Sequence, residues 1–89
     1  MTRSEKAKMI SKIAGCVSKH PSIEFATLYI GEEGRLLLGV YYTVALSVGE
    51  LTDIVTKAGG PMLSEVLRHD PNLRAKRIAP RVDLRKGWF

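Results

Sequence analysis

Ser22–Ser47 reads SIEFATLYI, then GEEG, then RLLLGVYYTVALS, and this stretch decides the fold. Both arms are rich in β-branched and aromatic residues, and the link between them is short and holds glycine, so the segment predicts a β-hairpin. Glu32-Glu33-Gly34 suits a three-residue connection, a type I turn closed by Gly34 in the left-handed conformation. A two-residue Glu33-Gly34 turn would force positive φ on a glutamate, which is disfavoured. The three-residue choice pairs Gly31 with Arg35, Tyr29 with Leu37 and Phe25 with Tyr41. Side chains alternate across a strand. One face then carries Ala26, Leu28, Ile30, Leu36, Leu38, Val40 and Val44, an aliphatic set expected in the core. The other carries Ile23, Phe25, Thr27, Tyr29, Leu37, Gly39, Tyr41 and Thr43. That second face is too apolar to be left in water without a use.

Working outward, each flank opens with the same local device. Thr2-Arg-Ser-Glu5 and Ser47-Val-Gly-Glu50 both fit a capping box, in which a hydroxyl and a glutamate satisfy each other's free backbone N–H groups at a helix start. After the first, Ala7, Ile10, Ile13, Ala14 and Val17 recur at helical spacing, and Pro21 marks the end. After the second, Leu51, Ile54, Val55 and Ala58 share a face. Gly59-Gly60 is expected to stop that helix and Pro61 to begin another, with Met62, Leu63, Val66 and Leu67 inward. The tail, from Arg74, shows period two, with Ile78, Pro80, Val82 and Leu84 on one parity and Arg77, Arg81 and Arg85 on the other. The expected class is α+β, a single small domain in the order α-β-β-α-α-β. It divides into a globular body, 1–73, and a basic C-terminal strand or arm, 74–89, of the same domain.

Length and composition narrow the rest. Eighty-nine residues at 45% hydrophobic content suit one folded domain with little apolar surface to spare, for which a second subunit would help. A homodimer is therefore expected. The single cysteine, Cys16, rules out an intrachain disulfide and fits a reducing, cytoplasmic setting. No secretory signal or membrane-spanning run is visible. The net charge is +5, and all of it sits in residues 74–89. There Arg74, Lys76, Arg77, Arg81, Arg85 and Lys86 face Asp83 alone, while the acidic groups and the basic groups of the body cancel.

Catalytic chemistry finds little to use. Cys16 and His20 are four apart and could share a helix face, but a structural zinc needs two more ligands and a nucleophile needs an oriented base. Neither is in sight, so no catalytic residue, metal or cofactor is assigned, and the protein is expected not to be an enzyme. The two short helices over Ser47–Asp70 invite a helix-turn-helix reading. The outward residues of the second are Ser64, Glu65, Arg68, His69 and Asp70, a poor surface for a phosphate-lined groove.

The tail offers more. Lysine and arginine on an edge strand can serve only to discourage unwanted pairing. Five charges beyond balance in so short a span exceed that need and suit contact with phosphates. The first expectation is a small nucleic-acid-binding regulatory or accessory protein, DNA-binding or RNA-binding. Arg74, Lys76, Arg77, Arg81, Arg85 and Lys86 would contact phosphates, helped by Lys6, Lys8 and Lys12. Phe25, Tyr29, Tyr41 and Trp88 would serve as stacking or interface residues. The rival is a protein–protein interaction module, such as a phage- or plasmid-type regulator or inhibitor. It would dimerise through the aromatic hairpin face and dock its basic tail on an acidic protein surface.

Overall fold

The computed structural model describes residues 1–78. Its elements run α1 (Arg3–Val17), β1 (Phe25–Ile30), β2 (Leu36–Tyr41), α2 (Val48–His69) and β3 (Ala75–Arg77), with one 3-10 turn at Glu32–Gly34. The class is α+β, with two helices and a three-stranded mixed sheet in the order β1-β2-β3. Among the described residues no helix is long and apolar enough to cross a membrane.

Both helices start where local chemistry placed them. Thr2 Oγ1 accepts from Glu5 N at 3.1 Å while Glu5 Oε1 accepts from Thr2 N at 2.9 Å. Ser47 and Glu50 repeat the exchange at 3.1 and 3.0 Å. Each box removes two of the unpaired N–H groups that a helix start leaves open. Helix α1 stops at Val17, well before Pro21, because Ser18 takes over. Its N–H and hydroxyl both turn back to Ala14 O, and its Oγ accepts the Ala26 N–H at 2.9 Å. The end of α1 is thereby tied to β1.

The hairpin has the expected register, with Phe25 opposite Tyr41, Tyr29 opposite Leu37, and Gly31 N donating to Arg35 O at 2.8 Å. The turn differs in one respect. Glu33 lies at φ 57, ψ 22, followed by Gly34 at φ 73. The three-residue connection thus holds two successive left-handed residues, and Glu33 carries the conformation that glutamate disfavours. The strands are also shorter than the sequence pattern suggested, since β2 ends at Tyr41.

The core combines Ile10, Ile13, Ala14 and Val17 of α1, Leu36, Leu38 and Val40 of β2, Tyr42 beyond it, and Val55, Leu63 and Val66 of α2. The expected aliphatic face is largely this inner face, with three corrections. Val44 lies beyond the strand and is exposed. Ile30 is 59% exposed, at the end of an edge strand. Ile23, expected on the aromatic face, is buried in the core. The reason is local. Glu24 N also donates to Tyr41 O, so Glu24 and Phe25 share one opposite residue, and the alternation slips by one before Phe25.

The two expected C-terminal helices form one element, α2, broken at Gly60, whose φ of 51 and ψ of −137 only glycine adopts readily. A helix-turn-helix is not formed, because a one-residue break separates the halves and Leu63 and Val66 of the second are core. Helix α2 is the crossover that makes β3 parallel to β2, with Gly39 opposite Lys76 and Val40 opposite Arg77. Both helices lie on one side of the sheet, and among the described residues the aromatic side carries no helix.

Candidate nucleic-acid interface

The face of the sheet away from α1 and α2 is built from the odd-numbered residues of the hairpin. Phe25 and Tyr41, directly opposite across β1 and β2, have ring centroids 5.6 Å apart and planes tilted by 41°. Such cross-strand aromatic pairs favour tilted geometry and stabilise the sheet locally. Tyr29 lies further along β1. Between it and β3 stands Gly39, where Ile78 and Tyr29 pack close to the backbone. A Cβ there would come within 3.0 Å of both Ile78 Cδ1 and Tyr29 Cβ. Ile78 packs into this space, and Lys76, opposite Gly39 in the register, places Nζ 5.2 Å from the Tyr29 ring centroid, a cation–π arrangement.

The parallel register decides which basic residues share this face. Lys76, opposite Gly39, is on it. Arg77, opposite Val40, is on the helix side, where its guanidinium stacks 4.5 Å from the Tyr42 ring centroid and Nη2 donates to Tyr42 O at 2.8 Å. The period-two pattern sets Ile78 on a greasy side against Arg77 on a basic one. Over the described residues the open side mixes Lys76 with Ile78, and Arg77 is already engaged. Arg74 precedes β3, its carbonyl accepts from Leu38 N at 3.1 Å, and it lines a cleft of about 300 Å³ between α2 and the sheet, with Leu38, Val55, Leu63 and Leu73. Lys76 also borders a polar basin of about 800 Å³ at the turn end, shared with Arg3, Arg35 and Glu33. Arg81, Arg85, Lys86 and Trp88 lie outside the described residues.

The helper lysines of α1 separate in the same way. Lys6 is bound to Asp70 at 3.0 Å in a half-buried ion pair that ties α1 to the end of α2. Lys8 and Lys12 are exposed. On α2, Arg68 and His69 both face Glu65. His20 Nδ1 accepts the Ser22 N–H at 3.0 Å, which occupies one of its two ring nitrogens. Among the described residues no three His, Cys, Asp or Glu side chains gather as metal ligands.

No protein-family model, curated protein or solved structure matches the chain. The functional reading therefore rests on the surface itself. That surface is a sheet face bearing Phe25, Tyr29 and Tyr41, with one cation over Tyr29 and a basic tail issuing from the adjoining strand. The sequence pattern found the aromatics and the charge. It missed the placement of Lys76 by Tyr29, because that depends on a parallel β3, which nothing local announces.

Proposed function

We propose that the protein is a small non-enzymatic nucleic-acid-binding protein that takes single strands on its open sheet face, with the basic C-terminal arm following the phosphates. The observation that carries this reading is Lys76 over Tyr29 on the face that also holds Phe25 and Tyr41. Flat rings on an open sheet stack unpaired bases, and nearby cations neutralise the backbone; single-strand binders combine the two. The tail supports it with a net +5 over residues 74–89.

Fluorescence anisotropy with labelled single-stranded RNA, single-stranded DNA and duplex DNA over a salt series tests the proposal. Contact with four to six phosphates gives a log–log salt slope of about −3 to −4 on single strands. Tyr29→Ala and Tyr41→Ala should each weaken single-strand binding by about 1–3 kcal/mol where a base is stacked, with little effect on duplex. Lys76→Gln should flatten the single-strand slope by about 0.7. Wild-type protein that leaves all three probes unshifted at about 50 mM salt would sink the proposal. The acidic-protein reading of the tail would then lead.

A further inference from the structure

We infer that the outer edge of β1 is a pairing site for a second copy of this chain, joined antiparallel about Tyr29. Among the described residues β1 is the end of the sheet on its side, and its sequence, FATLYI, contains no charge, proline or glycine. Edge strands usually carry such residues, because an uncovered edge offers its free N–H and C=O groups to any extended chain.

Alternation shows which groups point outward. Gly31 N donates to Arg35 O, so the odd residues of β1 face β2 and the even residues Ala26, Leu28 and Ile30 turn their backbone groups to the edge. Ala26 agrees with this assignment, and its N–H is held by Ser18 Oγ. The N-terminal half of the edge is thereby closed. Leu28 N and Ile30 N have no partner among the described residues, and Leu28 O receives only a long contact of 3.4 Å from Thr27 Oγ1. The open part is therefore short and central on Tyr29.

That length fits a second copy in one register. Leu28 opposite Ile30 of the second copy, and Ile30 opposite its Leu28, form two narrow pairs, each exchanging both backbone bonds. Neither needs Ala26, so Ser18 stays in place. Tyr29 then faces Tyr29 of the second copy at the wide-ring position between them, where opposite side chains approach most closely. On the helix side Ile30, 59% exposed, is covered by Leu28 of the second copy. A twofold axis through this point runs perpendicular to the sheet. It sets the two aromatic faces side by side on the same surface, with the basic β3 strands at the two outer edges. The pairing stands apart from the nucleic-acid proposal, and its test uses no nucleic acid.

Light scattering after size exclusion should give twice the 9.9 kDa chain mass at high-micromolar concentration. Ile30→Lys places like charges near the axis on an exposed position. It should raise the dimer dissociation constant at least tenfold while the far-UV circular dichroism stays unchanged. In the wild-type dimer the Leu28 and Ile30 amides should exchange slowly with solvent, and in the Ile30→Lys monomer the Leu28 amide should exchange fast. A wild-type monomer at the same concentration overturns the inference; if its two amides are nonetheless protected, the chain's own tail covers the edge. A dimer that Ile30→Lys leaves intact, with both amides exchanging fast, overturns it in favour of another interface.

Discussion

Replacing Gly60 with alanine separates a broken helix from a continuous one by the sign of its effect. In the interior of a regular helix, glycine to alanine stabilises by about 1 kcal/mol. At Gly60 it should destabilise. The residue sits at φ 51, ψ −137, a region that costs a non-glycine residue about 1–3 kcal/mol. A Cβ built there meets nothing within 4 Å, so no clash adds to the cost and the whole effect is backbone conformation. Escape into helical geometry is also closed. Residue 60 precedes Pro61, which disfavours the helical region for its neighbour. A straightened helix would also drive the proline ring against the Lys57 carbonyl at about 3 kcal/mol. Part of the loss is offset because alanine restricts the unfolded chain, by about 0.4–1 kcal/mol. The net expectation is a destabilisation of about 1–2 kcal/mol, or roughly 4–15 °C in melting temperature for a domain of this size. Urea melts followed by far-UV circular dichroism measure it. In a Pro61→Ala background the same Gly60→Ala change should cost less, because a continuous helix then becomes available. A Gly60→Ala variant more stable than wild type would refute the break and the packing argued from it.

Other consequences are simpler to state. Glu33→Gly relieves the left-handed glutamate of the hairpin turn and should stabilise by about 0.5–1 kcal/mol net; an unchanged urea midpoint would mean that the turn is not left-handed at that residue. Ser47→Ala removes one half of a capping box and should cost about 0.5–2 kcal/mol in the same melts. Glu5 and Glu50 are held below the ordinary carboxylate pKa, chiefly by the backbone N–H groups of Thr2 and Ser47 respectively. Lowered folded values make a contribution that is present above the unfolded pKa of about 4.3 and lost as pH falls through the folded values. The double variant Glu5→Gln, Glu50→Gln should therefore lose less stability than wild type between pH 5 and pH 3, about the range of carboxylate titration.

What the sequence made legible follows from how locally each feature is determined. The capping boxes could be read because hydroxyl and glutamate three residues apart satisfy each other without outside help. The hairpin register could be read because the glycines at 31 and 34 bracket the turn. Ile23 was misplaced because one shared partner, Tyr41, shifts the alternation, and side-chain pattern alone does not reveal which residue is doubled. The parity of β3 was harder still. Alternation divides the tail into two sides, but only its pairing partner says which side faces the helices. Leu38 against Ala75 settles this, and it reverses the roles of two neighbouring cations. Arg77, which the pattern favoured for phosphate, spends its guanidinium on the Tyr42 ring and carbonyl. Lys76 stands instead among the aromatics, over Tyr29, because its register against Gly39 puts it on the aromatic side of the sheet. The consequence can be measured. If bases lie on this face, Lys76→Gln should change the salt dependence of single-strand binding. Arg77→Gln should lower stability, because it strips a hydrogen bond from Tyr42 O and a stacked cation from its ring, and should leave that salt dependence nearly unchanged.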